Sequence, residues 1–457
     1  MKRQTDSSNT ESTGSSRREF LAHGGQVVAG AALTTAIARA AYAGEDNTIR
    51  LALIGCGGRG SGAVANALNT PNAGPVKLHA MADVFENRMA LSHKSLKRRF
   101  GDKVDASDDR KFIGFDAYKK AIDCLRPGDV AMLTAYSYCR PTHLDYAVKK
   151  GVNVFMEKSF APDPGGSHRM LQAGKEAEKK GLKIATGLMC RHSVNRQALI
   201  KKIRDGELGD LQLIRAFRMH GGRRLGKRKP EDNELQWQIR NKINFMWASS
   251  GVFIEYLIHQ IDECCWLKDA WPVSAHGIGG RVPGSEDRGQ NLDTYAIEYT
   301  FADGAKAMVD NRFMSKGHTG FATFAHGTKR AAQFSGNVHA GTVHTYKDQR
   351  QSKDNIDWSA PKERYSPWDA EWHVLLDRIR RNETHNETER AIYTNFVSIM
   401  GRAAVHYNNV VTWDQVFNSN FQFCDYVDTM NYNSPAPVKD DANGYYPVPV
   451  PGKWKET

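Results

Sequence analysis

The chain has 457 residues, of which 40% are hydrophobic and 25% are charged, a composition typical of a globular protein with enough apolar residues for two domains. Its net charge of +12 is spread along the sequence and accompanies no nucleic-acid-binding motif, so we expect no nucleic-acid partner. The seven cysteines show neither a C-x-x-C pair nor metal-ligand spacing. We therefore expect buried, unbridged thiols and no metal site.

Residues 1–43 have the character of an export signal. Arg17 and Arg18 precede an apolar Gly/Ala-rich run that ends in a small-x-small sequence at 41–43, which is the order of a twin-arginine signal. Glycines and Arg39 interrupt the run, so it would make a poor membrane span. We expect export by the twin-arginine machinery, a periplasmic location and no stable membrane insertion.

A short apolar strand at 49–54 runs directly into the pattern G-x-G-x-x-G. The first glycine permits a tight turn, the second lets the backbone approach a pyrophosphate, and the third lets the following helix pack closely on the strand. The phosphates would lie at the N-terminus of that helix. The pattern therefore predicts a dinucleotide site. The residues of this turn that we expect to contact the dinucleotide are Gly55, Gly57, Gly58, Arg59 and Gly60.

An acidic residue at the end of the next strand supports this prediction. Asp83 ends an alternating run that begins at Val76, and it lies 23 positions past Gly60. Its carboxylate would accept hydrogen bonds from ribose hydroxyls and repel a 2′-phosphate. NAD is therefore favoured over NADP, although Arg59 and Arg88 leave room for the phosphorylated cofactor.

Helix and strand signals then alternate, which predicts an α/β fold with a doubly wound parallel Rossmann sheet over residues 47–188. The expected helices are 115–125, 141–148 and 164–180, and the expected strands are 129–134, 152–156 and 182–187. The carboxyl ends of such strands face the cofactor. Thr134, His143, Glu157 and Lys158 are the expected contacts there.

The pattern changes after residue 188. Strands are predicted at 211–219, 273–279, 294–301, 305–312, 321–325 and 332–334. Asp303-Gly304 is a strong hairpin turn, so residues 189–372 are expected to form a second α/β domain with a large, mostly antiparallel open sheet. Exposing one face of that open sheet to solvent would cost free energy, so we expect a homo-oligomer.

Helical periodicity at 369–382 and 389–407 suggests C-terminal helices within 373–436. An extended tail is expected at 437–457.

A helix over 249–267 would carry Glu255, His259 and Asp262 on one face. His259 would take the proton of a substrate hydroxyl, while Glu255 would fix the imidazole and raise its basicity. Taken alone, such a pair is more often a surface pair or a core histidine.

These motifs together resemble the glucose-fructose oxidoreductase, inositol dehydrogenase and rhizopine-catabolism family, in particular its exported bacterial members. The resemblance runs from residue 49 to about residue 413 and implies hydride transfer between a nicotinamide cofactor and a carbohydrate or cyclitol hydroxyl. It also implies that Lys158 hydrogen-bonds the reacting oxygen and that His259 relays the proton. An exported dehydrogenase has no obvious free NAD pool, so we expect the cofactor to be tightly bound.

The chain departs from the family pattern at two positions. Ser159 replaces the expected proline, which should relax the turn that aims Lys158. Leu257 stands where exported relatives often have another histidine. Some further residues resemble segments that line the cleft, with ordinary packing as the alternative. The candidate substrate contacts are Arg191, His192, Trp237, Arg240 and Asp262.

Two other functions stay open at this point. One is an NAD-dependent glycoside hydrolase or lyase that acts through transient sugar oxidation. The other is a non-catalytic sugar-binding protein with the same fold, which the replacement of proline by Ser159 favours.

Overall fold

The computed structural model describes residues 47–222, 225–283, 285, 287–337 and 343–457. The predicted export signal lies outside these residues. In the described part of the chain the strands form one six-stranded and one nine-stranded sheet.

All strands of the first sheet pair in parallel, in the order β3-β2-β1-β4-β5-β6. The strands are β1 (Ile49–Ile54), β2 (Val76–Asp83), β3 (Lys111–Ile113), β4 (Val130–Leu133), β5 (Asn153–Met156) and β6 (Ile184–Thr186). The connecting helices are α1 (Gly58–Asn69), α2 (Glu86–Phe100), α3 (Ala117–Asp123), α4 (Arg140–Lys150) and α5 (Pro164–Lys179). Since the strand order reverses between β1 and β4, a crevice opens at their carboxyl ends. The predicted doubly wound sheet is confirmed.

Local sequence explains the helix ends in this region. Helix α4 has Pro141 in its first turn. It ends before Gly151, because the left-handed φ of +78° at this residue is incompatible with a further helical turn. Helix α5 begins after Asp163, whose side chain accepts a hydrogen bond from the Gly166 amide at 2.8 Å. These caps fix where each strand-to-helix turn meets the crevice.

The second sheet has the order β14-β13-β12-β11-β7-β10-β9-β8-β15. Its strands are β7 (Leu211–His220), β8 (Ser274–Gly280), β9 (Thr294–Thr300), β10 (Lys306–Phe313), β11 (Gly320–Gly327), β12 (Ala331–Gly336), β13 (His344–Tyr346), β14 (Ile356–Ser359) and β15 (Val411–Thr412). The predicted hairpin joins β9 to β10 through Gly304, whose φ is +88°. One pair departs from the antiparallel rule: β7 and β10 run parallel, because long helical segments separate them in sequence. The predicted, mostly antiparallel sheet is confirmed.

The remaining helices cover one face of the second sheet or return to the first. They are α6 (Val194–Arg204), α7 (Glu234–Arg240), α8 (Met246–Ser249), α9 (Gly251–Lys268), α10 (Pro367–Arg381), α11 (Thr388–Tyr407) and α12 (Trp413–Phe417). Helix α9 is buried nearly all round and packs against α11 and β7. Helix α10 returns to the first sheet, where Trp372 packs on Phe155 with ring centroids 4.5 Å apart.

All seven cysteines are unbridged, and all but Cys124 are buried, as the composition predicted. Within the described ranges, no group of three or more His, Cys, Asp or Glu side chains is arranged to hold a metal ion. Across the same ranges, no helix combines the length and the apolar character needed to cross a membrane.

Candidate active site

The glycine turn between β1 and α1 has the geometry that the motif requires. Gly55 has a φ of +97°, and a Cβ there would lie 2.4 Å from the Ala135 amide nitrogen. A Cβ on Gly57 would meet no protein atom within 4 Å, whereas one on Gly60 would lie 2.3 Å from the Gly55 carbonyl oxygen. The turn therefore packs tightly on its sheet side and is open in front of the N-terminus of α1.

That opening belongs to a cavity of about 620 Å³ at the carboxyl ends of the first sheet. Its size falls within the range of small-molecule and cofactor sites. The predicted residues that line it are Gly55, Gly57, Gly58, Arg59, Gly60, Asp83, Thr134, His143, Glu157, Lys158 and Glu255. The free space in front of two glycines, at a helix N-terminus, fits the pyrophosphate of a dinucleotide.

Asp83 links the glycine turn to the end of β2. Its Oδ2 accepts a hydrogen bond from the Cys56 amide at 2.6 Å, and its Oδ1 accepts one from the Phe85 amide at 2.8 Å. Burial raises the pKa of Asp83, although both amides and Arg88 oppose that rise. Each carboxylate oxygen keeps a second acceptor position, so Asp83 can hold the turn and still receive a ribose hydroxyl.

Thr134 and His143 complete the wall beside β4. The Thr134 hydroxyl contacts the Ile54 and Gly55 carbonyl oxygens at 3.0 and 2.7 Å, which fixes the glycine turn from the neighbouring strand. His143 stacks on Tyr118 at 4.1 Å between ring centroids. Burial, followed by nearby arginines, lowers the pKa of His143 to about 3. Its imidazole is therefore neutral and serves as a flat packing surface.

Arg59 connects the glycine turn to two acidic side chains. Its Nε lies 2.5 Å from Glu157 Oε1, and its Nη2 lies 3.2 Å from Glu371 Oε1. Glu371 is fully buried, and this burial raises its pKa well above the usual value. The predicted contact residues Arg59 and Glu157 thus bind each other, which holds the turn after β5 against α1.

Lys158 directly follows Glu157 in this turn. Its Nζ donates a hydrogen bond to the backbone carbonyl of Glu255 at 2.6 Å and lies 3.8 Å from the carboxylate of the same residue. The Lys158–Ser159 peptide bond is cis. The Ser159 hydroxyl reaches Glu255 Oε2 at 3.3 Å.

Glu255 has contacts that were not predicted from the sequence. Its Oε1 contacts the ammonium groups of Lys242 and Lys158, and its Oε2 contacts Ser159. Burial would raise the pKa of Glu255, but these two lysines hold it at about 2. The carboxylate therefore neutralises the charge of the two lysines, and its role of fixing the His259 imidazole stays a prediction.

His259 lies one helical turn beyond Glu255 on α9 and is 6% exposed. It is not among the side chains that line the cavity. Its access to a substrate and its role as a proton relay stay predictions.

The five candidate substrate contacts all have protein partners and also lie outside the cavity lining. Arg191 and Asp262 form a bidentate ion pair at 2.8 and 2.9 Å, and His192 lies 3.2 Å from Glu387. Trp237 donates to the Gly226 carbonyl at 3.0 Å, and Arg240 pairs with Asp232 at 2.6 Å. These contacts are those of the packing alternative, and a substrate role for the five residues stays a prediction.

Three features of the cavity were not predicted from the sequence. Lys242 lines it from the turn after α7, and buried Arg140 donates hydrogen bonds to the carbonyls of Ala135, Glu157 and Ser159 beneath it. The third feature is a C-terminal strap, which we define as residues 420–446. It contributes Val427, Asp428 and Met430 to the cavity lining. Of these three features, Arg140 had a local signal in the sequence, because it begins helix α4, which follows strand β4.

The fold and the site define a Rossmann-type crevice joined to an α/β domain with an open sheet. A sequence model of the GFO/IDH/MocA C-terminal domain matches residues 197–333. Residues 197–333 are therefore similar to the C-terminal domain of this family, in agreement with the resemblance that the motifs predicted. Membership of the exported subgroup stays a prediction.

Solved structures with the same fold include three oxidoreductases. Aldose-aldose oxidoreductase from Caulobacter crescentus is 15% identical with a TM-score of 0.60, and the match covers 80% of this chain and 100% of that one. Myo-inositol dehydrogenase from Lactobacillus casei, in complex with NAD(H) and myo-inositol, is 14% identical with a TM-score of 0.58 over 80% and 96%. UDP-N-acetylglucosamine 3-dehydrogenase from Acidithiobacillus ferrooxidans is 17% identical with a TM-score of 0.58 over 78% and 97%.

Proposed function

We propose that this chain is an NAD-dependent oxidoreductase that acts on a hydroxyl of a carbohydrate or cyclitol. The observation that carries the proposal is that Lys158 and the open glycine turn line one cavity. That arrangement puts a proton-carrying side chain and a phosphate cradle within the reach of one dinucleotide. The named activities of the three structural neighbours are consistent with it.

The cofactor would be held by the glycine turn and by Asp83. Gly57 and Gly58 leave room for the pyrophosphate at the N-terminus of α1, and Asp83 would accept the ribose hydroxyls, which favours NAD over NADP. When bound, NAD supplies the two-electron acceptor of the reaction as a nicotinamide ring that takes a hydride.

Lys158 would hydrogen-bond the reacting oxygen and exchange its proton. Burial lowers the pKa of Lys158, which eases the release of its proton. His259 remains the proposed relay that takes the substrate proton onward, since it lies on the same helix as Glu255.

We further propose that the cofactor is retained between turnovers. The C-terminal strap supports this, because Tyr432 donates to the Val84 carbonyl at 2.6 Å and Asp428 binds Arg169 at 2.8 Å. Retention would let the enzyme oxidise one sugar and then reduce another with the same nicotinamide.

The test begins with small molecules released from purified, denatured protein. Mass spectrometry should find nicotinamide dinucleotide, and the native protein should show an absorbance change near the reduced-nicotinamide band when a sugar is added. Lys158→Met should keep the bound dinucleotide and lose at least about 100-fold in turnover, whereas Lys201→Met, in an exposed ion pair with Asp205, should change neither.

Other outcomes would favour the other functions. Cleavage of a nitrophenyl glycoside without net reduced nicotinamide would favour a hydrolase or lyase. Sugar binding without turnover, unchanged in Lys158→Met, would favour a binding protein. A protein that contains no dinucleotide and binds none when it is added would exclude the proposed oxidoreductase.

We propose export through the twin-arginine pathway to the periplasm, on the sequence of residues 1–43 alone. Replacing Arg17 and Arg18 by lysine should leave the protein in the cytoplasmic fraction. Periplasmic recovery of that variant would contradict the proposal.

We also propose a homo-oligomer, supported by apolar side chains on the outer face of the second sheet. Phe217 and Phe324 are half-buried there, and Ile278 is 71% exposed. Light scattering of the purified protein should give a multiple of the chain mass, and a monomer would contradict this proposal.

A further inference from the structure

Two lysines from different elements share the carboxylate of Glu255. Lys242 Nζ lies 3.0 Å from Glu255 Oε1, and Lys158 Nζ lies 3.8 Å from the same oxygen. All three side chains line the cavity. Lys242, which is at the shorter distance, is not part of any motif identified in the sequence.

The structure also gives Lys242 a second contact that fixes its direction. Its ammonium lies 4.0 Å from the centroid of the Tyr136 ring, which is a cation–π distance. Tyr136 belongs to the turn after β4 and lines the cavity as well. The Lys242 head group is therefore held between one aromatic face and one carboxylate oxygen.

This arrangement gives Lys242 the shorter of the two contacts with the Glu255 carboxylate. Its short contact is the backbone carbonyl of Glu255 at 2.6 Å, while the carboxylate, at 3.8 Å, is beyond hydrogen-bond distance. An ammonium group has three N–H donors. One is used by that carbonyl, so others are available to an oxygen in the cavity.

We propose that Lys242 is a positioning residue for the reaction: it binds the carboxylate of Glu255 and so keeps the ammonium of Lys158 directed at the reacting oxygen. This inference rests on the proposed function. It adds a residue that lies outside the family motifs of this sequence.

The charged groups around Lys158 determine whether its pKa should rise or fall when Lys242 is replaced. Burial lowers the pKa of Lys158; Lys242 and Arg218 lower it further, whereas Glu255 and Glu157 raise it. Glu157 is itself paired with Arg59. Without Lys242, one lowering charge is lost and the Glu255 carboxylate can approach Lys158 more closely than 3.8 Å, so the pKa of Lys158 should rise.

The test measures the reactivity of the Lys158 amine as a function of pH, independently of turnover. Purified protein is acetylated briefly with acetic anhydride, and modification of Lys158, which is 20% exposed, is quantified by mass spectrometry. Lys242→Met should lower its reactivity at pH 8 about tenfold, which corresponds to a rise of one pKa unit. Lys242→Arg should restore most of it.

Lys306→Met provides the matched control. Lys306 Nζ lies 2.9 Å from Glu298 Oε1, so this variant breaks an equally short pair on the second sheet. Its Lys158 reactivity should equal that of the unmodified chain. Thermal unfolding of each variant establishes that the fold is intact.

A parallel pH profile of kcat/KM links this result to the reaction. The ionisation assigned to Lys158 should move to higher pH in Lys242→Met and return in Lys242→Arg. Unchanged amine reactivity in folded Lys242→Met would overturn the inference. A shifted reactivity in a protein that never turns over a sugar would leave the coupling in place and refute the proposed function instead.

Discussion

Gly57 and Gly60 lie one helical turn apart in the dinucleotide motif, yet their surroundings are opposite. A Cβ on Gly57 would project into open space in the cavity, whereas one on Gly60 would lie 2.3 Å from the Gly55 carbonyl oxygen and 2.6 Å from the Thr134 hydroxyl oxygen. One glycine therefore leaves room for a ligand, and the other permits packing.

Replacing each glycine by alanine should separate these two roles. Gly57 has a φ of −76°, which alanine adopts readily, so Gly57→Ala should keep its melting temperature and lose at least about tenfold in NAD affinity, or 1.4 kcal/mol. Gly60→Ala should lose about 1 to 3 kcal/mol of unfolding free energy through overpacking. Calorimetry of binding and chemical denaturation measure the two effects.

Each of the two glycine variants serves as the control for the other. Equal affinity loss in both variants, with unchanged stability in both, would mean that the two glycines do not divide the roles in this way. Unchanged NAD affinity in Gly57→Ala would show that the cofactor does not approach the turn.

Residues in local motifs were predictable, and residues placed by distant contacts were not. Gly55, Asp83 and Lys158 each end or follow a strand, so chain order alone brings them to one sheet edge. Lys242 reaches the cavity only because the turn after α7 packs beside Tyr136, and nothing in its neighbouring sequence requires that contact.

Asp262 lies outside the cavity lining for a related reason. Helical periodicity correctly puts Glu255 and Asp262 on one face of α9, but seven residues separate them by about 10 Å along the axis. The cavity ends near Glu255. Further along the helix the same face meets other protein groups, where Arg191 and Thr394 bind the Asp262 carboxylate.

At the scale of elements, the C-terminal strap joins the tail of the chain to the cofactor cavity. It has no helical or alternating periodicity, so its path depends on single side-chain contacts and could not be predicted from the sequence. Tyr432 stacks edge-on against Phe115 at 5.1 Å between centroids and donates to the Val84 carbonyl. Asp428 binds Thr142 and Arg169.

Loosening the strap should speed cofactor release. The double variant Asp428→Asn, Tyr432→Phe removes the contacts to Arg169 and Val84; at roughly 1 kcal/mol for the Tyr432 hydrogen bond, and less for the half-exposed ion pair, we expect about a tenfold faster release. Stopped-flow fluorescence of bound NADH, displaced by excess NAD, measures the rate.

Tyr426→Phe is the control, since the Tyr426 hydroxyl donates to Pro435 within the strap itself at 2.9 Å. It should release the cofactor at the original rate. A double variant with the same release rate as the unmodified chain would mean that the strap does not retain the cofactor.

At the scale of the whole molecule, the chain's penultimate residue is buried in the core. The Glu456 carboxylate has no exposed surface and lies 3.2 Å from Arg402, 3.0 Å from His406 and 2.9 Å from the Trp454 indole nitrogen. Arg402 also donates to the Ser250 and Pro162 carbonyls. The residues expected to be an extended tail therefore end in an anchor that joins α11 to the turns before α9 and α5.

This anchor predicts a specific pH dependence of stability. Burial would raise the pKa of Glu456, but Arg402 and His406 hold it at about 2, well below the usual range of a glutamate. A depressed pKa means that the stabilisation is complete above about pH 4.5 and is lost as the pH falls towards 2. Glu456→Gln should cost about 3 to 5 kcal/mol at pH 7, because it leaves Arg402 buried without its counter-charge.

Denaturant titrations of the unmodified chain and of Glu456→Gln at pH 7 and pH 3.5 measure this effect. The difference in unfolding free energy should be larger at pH 7 and smaller at pH 3.5, because the unmodified chain loses part of its advantage as protons bind the unfolded state. Glu298→Gln, in a partly exposed pair with Lys306, should cost less than about 1 kcal/mol at pH 7. A difference for Glu456→Gln that is the same at both pH values would show that the ionised carboxylate does not stabilise the fold, and that the C-terminal anchor depends on packing alone.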